Sequence, residues 1–345
     1  MEKDIFFPDK GIFRTIFLYV GQGESTLMIV PDGDSHRYLL VDSNYKKDDE
    51  LIEDIPLIFK EIDRDDIIFV NTHPHKDHIA GVKEIKDCIS EVWHSGHTPG
   101  KEHEDAFKEL NEVIKKVGDS NVFYLRGSND KNVLHTDKEE KSKTDRKIGD
   151  IDFQVLSPAK YVCEEIDDET PDQRAKRIHE QCGVIKFIYK DKSILLTGDS
   201  DKAAWKEHIT DYYKDDLKSD VLSASHHGSV SFFKDKEKED DDVYLDHMDN
   251  IKPDYLIISA PKQEDSPHDH PDDEALELYE DYVSKENTYH LGEDEKSIIV
   301  DIDAGGSLKI YNGDKDDKSA KTSSLRNEGF SSPKPFSPKS PWCSL

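Results

Sequence analysis

Residues Thr72-His73-Pro74-His75-Lys76-Asp77-His78 hold three imidazoles and a carboxylate, directly after the apolar run Ile67-Ile68-Phe69-Val70. This stretch constrains the fold more than any other. The apolar run reads as a buried strand. The residues after it must turn tightly at the strand end, so that alternate side chains aim at one point. A single tetrahedral ion does not need so many ligands from one loop. The pattern therefore reads as parts of two adjacent sites. His73 and His75 would serve one ion, and Asp77 and His78 the other.

The rest of the chain supplies further strand ends. Apolar residues alternate with period two in short pieces over 12–20, 25–30, 37–42, 67–72, 121–125, 151–156, 183–190, 193–198, 220–225, 254–260, 297–303 and 307–311. Between them lie helical patterns. Phe107, Leu110, Ile114 and Val117 mark one face over 104–117, and Leu276, Tyr279 and Val283 mark another over 272–284. Shorter helices are expected over 49–61, 78–86 and 201–209. Strands and helices occur in both halves, which predicts an α/β protein: an αββα sandwich of two mixed β-sheets flanked by helices. The charged stretches 127–147 and 162–180 read as solvated loops, and 234–242 as a loop, lid or rim. From 313 the chain turns to Lys, Ser, Gly and Pro. The expected organisation is one domain over 1–312 and a flexible tail over 313–345.

Composition sets limits on function. The 345 residues carry 47 Lys+Arg against 76 Asp+Glu, a formal charge of −29. That balance argues against a broad basic groove for nucleic acid. Lys76, Lys101, Lys108, Lys115 and Lys116 remain candidates for a local basic strip. No apolar run reaches the length of about 18 residues that a membrane span needs. The start of the chain lacks a signal-peptide layout, and its four cysteines form no C-x-x-C pair. A cytoplasmic location without disulfides or membrane association is the expectation.

Two more motifs follow apolar strands. Leu195-Leu196-Thr197-Gly198-Asp199 ends in a carboxylate that can bridge two cations. Ser225-His226-His227-Gly228-Ser229 presents adjacent histidines whose rings point in different directions. One can ligate a metal while the other meets a substrate.

Taken together, the H-x-H-x-D-H element, the later Gly-Asp and the still later histidine resemble the metallo-β-lactamase fold. Tyr19-Val20-Gly21-Gln22-Gly23-Glu24-Ser25, Leu196-Thr197-Gly198-Asp199, His226-His227-Gly228-Ser229 and His270-Pro271 resemble the hydrolase domain of ComEC-type DNA-uptake proteins and its free-standing relatives. The resemblance covers roughly 12–312. It implies a two-metal phosphodiesterase or nuclease with two divalent ions, zinc first and manganese second. Metal ligands would be His73, His75, Asp77, His78 and Asp199, with His226 or His227. Asp42 would brace the metal loop. Asp77, His227 and His270 are the candidate catalytic residues, and Gln22, Ser229 and His270 the candidate substrate contacts.

The sequence departs from the ComEC-type pattern at Tyr19, Glu24, Gln181 and Cys182, where that group usually has Asp, Asp, Asn and Ser. A further ligand histidine is common in the fold, and His94, His97 and His179 are the candidates by position. The expected substrate is a phosphodiester in nucleic acid or a nucleotide. The resemblance also admits a protein partner in a larger assembly of the defence type. Two other functions are kept open. One is a thioester, lactone or amide hydrolase, since fold alone does not set substrate. The other is a non-catalytic module stabilised by metal.

Overall fold

The computed structural model describes residues 1, 3–46, 52–137, 142–166, 169–236, 238, 241–313 and 321–323. Eight strands come first: β1 (Phe13–Phe17), β2 (Thr26–Asp32), β3 (Ser35–Val41), β4 (Ile67–Asn71), β5 (Ile89–His94), β6 (Val122–Tyr124), β7 (Val133–His135) and β8 (Lys143–Asp145). Six more follow: β9 (Asp152–Ser157), β10 (Val184–Tyr189), β11 (Lys192–Leu196), β12 (Val221–Ser223), β13 (Tyr255–Ile258) and β14 (Thr288–His290). The chain then returns through β15 (Ile298–Ile302), β16 (Leu308–Asn312) and β17 (Lys321–Ser323).

The first sheet runs β17-β16-β15-β1-β2-β3-β4-β5-β6-β7-β8, and the second runs β14-β13-β12-β11-β10-β9. Both are mixed. β3 to β6 pair in parallel within an otherwise antiparallel sheet. β11 to β14 pair in parallel, while β9, β10 and β11 are antiparallel.

Period-two burial builds the layers. Met28 and Val30 of β2, and Ile68 and Val70 of β4, face a central core. Ile185 and Phe187 of β10, with Ile194 and Leu196 of β11, meet them from the second sheet. The alternate residues Leu27, Ile29, Ile67 and Phe69 pack outward beneath the helices Ile55–Ile62 and Glu104–Val117. On the other side Leu195, Leu222 and Leu256 pack beneath Asp246–Ile251 and Asp273–Glu280. The inner strands are thus apolar on both faces, because each sheet is covered on both faces there, while edge strands such as β8 stay polar. The expected αββα sandwich is the architecture observed.

Every strand expected from the sequence has a counterpart, and five were not anticipated. The most important is β5, in the middle of the first sheet. Its alternation is broken by Glu91, which is buried because Arg146 pairs with it and Trp93 Nε1 donates to it at 2.6 Å. β7 and β8 lie within the expected loop 127–147 and correct it. So do the helices Lys160–Ile166 and Pro171–Lys176 within 162–180. The second helix starts with a capping box between Thr170 and Gln173. The helix expected over 78–86 is instead two turns, Lys76–Ile79 and Val82–Ile85, interrupted at Gly81 with φ 77°.

Most of the proposed tail lies outside the described residues. Within it, Lys321–Ser323 pair antiparallel with Leu308–Ile310, beyond the boundary expected at 312.

Candidate metal centre

Parallel strands in both sheets point their carboxyl ends at one rim, the usual place for a site in such sheets. The first sheet delivers Asp42 after β3 and His73 to His78 after β4. The second delivers Asp199 after β11 and His226-His227 after β12. The loops are tied across the gap. Gly183 N–H donates to the Thr72 carbonyl at 2.8 Å, and Glu24 N–H to the Asp77 carbonyl at 3.1 Å.

Asp199 sits at the centre, and its two oxygens face two groups. Oδ2 lies 3.5 Å from His73 Nε2, 3.6 Å from His226 Nε2 and 3.9 Å from His179 Nε2. Oδ1 lies 3.2 Å from His78 Nε2 and 3.7 Å from His227 Nε2. His73, His75, His179 and Asp199 converge as one candidate ligand set, and Asp77, His78 and His227 as another. His73 and His75 belong to one group, and Asp77 and His78 to the other.

Partners behind the rings orient them. Asp42 accepts from Thr72 N–H at 2.8 Å and from Thr72 Oγ1 at 2.6 Å, and its Oδ2 lies 2.8 Å from His78 Nδ1. With the proton on Nδ1, His78 turns the lone pair of Nε2 inward. His227 Nδ1 donates to the Ser259 carbonyl at 2.8 Å, with the same result. His226 Nδ1 meets Ser231 Oγ at 3.0 Å.

The buried atoms His73 Nε2, His78 Nε2, His227 Nε2 and Asp199 Oδ1 have no hydrogen-bond partner among the described residues. Each such group costs on the order of 1–3 kcal/mol if left unpaired. Several orphans aimed at one region fit a divalent cation pair, because imidazole lone pairs and a carboxylate are its natural donors.

Electrostatics divide the histidines the same way. Burial pushes His73 and His226 well below the ordinary range, and His75 down to about 3. Burial also opposes charge on His78 and His227, yet facing carboxylates overcome it. Asp199 and Asp42 hold His78 well above its usual value, and Asp199 and Asp77 raise His227 to about 9. Burial likewise opposes ionisation of Asp199, but the surrounding imidazoles hold it well below the carboxylate range.

The remaining expected residues take distinct places. His270 is buried, its ring 5.3 Å from His226 and its Nδ1 3.7 Å from Asp272. Burial, with Lys236 nearby, lowers it to about 4. Gln22 reaches the same corner through Ser266, which donates to its Oε1 at 2.9 Å and accepts from His270 N–H at 3.0 Å. Ser229 is fully buried, and its hydroxyl accepts from Ser231 N–H at 3.2 Å. That bond shapes the turn behind His226.

Of the three extra histidines, His179 enters the first group. His94 lies against Tyr124 and His97 is buried, and neither joins a ligand set among the described residues. Three contributors were not among the candidate site residues. His103 stacks on His75 at 4.2 Å and accepts from Lys76 N–H at 2.9 Å. Glu24 forms a third convergence with His78 and Asp199, and burial raises it to about 7. Cys182 is fully buried, accepts from Asp199 N–H at 3.2 Å and lies 3.6 Å from His73 Nδ1. Glu24 and Cys182 stand where the sequence departs from the ComEC-type pattern.

The four layers and the shared rim are those of the αββα sandwich expected from the sequence. This is the arrangement that the resemblance to the metallo-β-lactamase fold implies. No protein-family model matches the sequence, and no curated protein does. Among solved structures, a CmlA β-hydroxylase mutant aligns with TM-score 0.43 and 12% identity, over 80% of this chain and 52% of that one. The chain thus spans about half the length of that enzyme. The metallo-beta-lactamase fold protein YhfI from Bacillus subtilis aligns with TM-score 0.42 and 11% identity, over 81% of this chain and 96% of that one. Zn(2+)-bound PqqB from Methylobacterium extorquens aligns with TM-score 0.38 and 12% identity, over 77% and 84% respectively.

Proposed function

We propose that this chain is a two-metal phosphodiesterase or nuclease, resembling the free-standing ComEC-type hydrolases. The observation that carries the reading is the split of Asp199, whose two oxygens face separate ligand sets. His73, His75 and His179 would hold one ion, Asp77, His78 and His227 the other, and Asp199 would bridge them. The imidazole-rich donors suit zinc, with manganese second. When bound, such a pair lowers the pKa of water toward about 7 and stabilises charge developing on phosphorus.

The protein's own residues then divide the work. Asp42 and the Ser259 carbonyl keep His78 and His227 in one tautomer. His227 is accordingly assigned to metal. His226, partly exposed and fixed by Ser231, would contact a phosphate oxygen. His270, next to it and kept neutral by burial, would donate a hydrogen bond to a substrate oxygen.

Purified protein loaded with zinc or manganese tests the reading. It would be offered bis-p-nitrophenyl phosphate, plasmid DNA, single-stranded DNA, RNA and a lactone. Metal-dependent hydrolysis of a phosphodiester, lost on chelation, is expected. Turnover of the lactone alone would replace the reading with a carboxyl-ester chemistry on the same ligands.

A further inference from the structure

Beside the metal centre the acidic surface is interrupted. A cleft of about 380 Å³ shares Ser231 with the His226 loop and Asp201 with the Asp199 turn. Six lysines and five carboxylates line it, in a chain whose formal charge is −29. Most of these groups are already engaged, lysines as well as carboxylates: Lys234 pairs with Glu274, and Lys236 with Asp272 at 2.8 Å. Asp241 pairs with Lys202 at 2.6 Å, Asp235 with Lys238 at 2.9 Å, and Glu180 with His208 at 2.7 Å and with Arg177. Lys176 and Lys206 are exposed and have no ion-pair partner among the described residues. The basic strip expected around Lys108 and Lys116 does not compete. Lys108 pairs with Glu104 and Asp105, and Lys116 donates to the Ile89 carbonyl.

A second cleft, of about 440 Å³, continues from the first and shares Glu207 with it. Tyr161, Tyr212 and Tyr213 line it with His208. Tyr161 and Tyr212 are 50% and 64% exposed, among the few large apolar side chains so open to solvent. Burial would stabilise such rings, so an open pair of them marks a surface with a use. One helical segment, residues 202–213, walls both clefts. Its middle, Ala204–Ile209, is wound as a π-helix, a form found mostly at functional positions.

We infer that the two clefts form one track for a single-stranded nucleic acid, with lysines meeting its phosphates and tyrosines stacking on its unpaired bases. This inference rests on the proposed phosphodiesterase reading and names the substrate class. Lysines and open aromatic rings in series are the chemistry that holds a strand without reading its sequence. A duplex hides its base faces and would gain nothing from the tyrosines. The wall spans about 17 Å at helical rise, or about five stacked nucleotides.

The test uses the full-length zinc-loaded protein with Lys206→Glu and Tyr212→Ala, both exposed positions. Oligo-deoxythymidylates and oligouridylates of about two to twelve nucleotides, a duplex and bis-p-nitrophenyl phosphate are the substrates. Wild-type kcat/KM should rise with strand length up to about five nucleotides and then level. In each variant the ratio of kcat/KM on the long strand to that on the small ester should fall about fivefold or more. DNA and RNA arms show which sugar is preferred, and either outcome supports the track. Binding of a labelled twelve-nucleotide strand by fluorescence anisotropy reads the track independently of turnover. Strand binding weakened in both variants upholds it even if no phosphodiester is cleaved. Hydrolysis of the small ester with no length dependence, a preference for the duplex, or unchanged strand binding in both variants overturns the track and leaves the phosphodiesterase reading standing.

Discussion

The two halves of the metal centre are held in different ways. The half from the first sheet is braced by side chains. Asp42, fully buried, gathers Thr72 and His78, and Asn71 donates to it at 3.1 Å. The half from the second sheet is braced by backbone shape. Gly198, His226 and His227 all lie in the left-handed region, at φ 49°, 49° and 56°. His226 N–H donates to the Gly198 carbonyl at 3.0 Å, and a main-chain carbonyl, not a carboxylate, orients His227. Non-glycine residues pay about 1–2 kcal/mol for this conformation; the second half bears that cost at both adjacent histidines, while in the first half Asp42, also left-handed at φ 56°, offsets it with its hydrogen bonds. The contrast says which residue types each half tolerates. The first depends on one carboxylate, and the second on a glycine.

Asp199 joins the halves, so its loss should have the largest effect. Asp199→Asn keeps the shape and removes the bridging charge. A fall in phosphodiesterase rate on the order of 100-fold or more is expected, with reduced metal content by elemental analysis. Near wild-type turnover would place the bridge elsewhere. Next comes Asp42→Ala, which strands His78 Nδ1 and the Thr72 hydroxyl in a dry interior. Loss of one partner from a buried pair costs about 3–5 kcal/mol, measurable as a lower urea midpoint. An unchanged midpoint would mean that the first half holds itself without Asp42. The corresponding blow to the second half is Gly198→Ala. An added methyl would sit 2.6 Å from Cys182 Sγ and 2.9 Å from Thr72 Oγ1, at a φ few side chains accept. Destabilisation of about 1–3 kcal/mol is expected, together with weaker metal retention. A larger loss from this variant than from Asp42→Ala would reverse the order of the two halves.

This difference also explains what could be read from the chain. The first half is contiguous, so three histidines and Asp77 announced themselves beside a single strand. The second is assembled from Asp199, His227 and His179, which come from separate strand ends and a charged helical stretch. Asp199 and the His226-His227 pair were legible because each follows an apolar strand. His179 stood only as one of three candidates by position, since nothing in the run 162–180 distinguishes it from surface. β5 was hidden for a related reason. Its Glu91 is buried by an ion pair with Arg146, a residue 55 positions away, and local alternation carries no trace of such a partner. His103 contributes by stacking on His75, a contact made only once the helix Glu104–Val117 is docked.

The smallest effect expected is a pH dependence, and it separates the roles of the rings within each half. Consider first the protein stripped of metal. His78 and His227 have folded pKa values raised above the ordinary 6.5, His227 to about 9. Their stabilising protons are fully bound below pH 6.5 and are lost as pH rises through the raised values, for His227 about 9. His73, His75 and His226 are shifted the other way, His75 to about 3. Their contribution is complete above pH 6.5 and is lost as pH falls, because each must take a proton in a dry site. Each half therefore contains one ring that weakens it in alkali and at least one that weakens it in acid. The stripped protein should be most stable near pH 6.5, losing on the order of 1–2 kcal/mol by pH 8.5. Zinc removes the alkaline loss, since a cation now occupies the place of those protons. It sharpens the acid loss, since protons compete for its ligands. Urea midpoints at pH 5, 6.5 and 8.5, with chelator and with zinc, measure both limbs. Asp199 raises both His78 and His227, so Asp199→Asn should flatten the alkaline limb of the stripped protein. A stripped wild-type protein that gains stability between pH 6.5 and 8.5 would show that His78 and His227 carry no extra protons, and the electrostatic division of the histidines would fall with them.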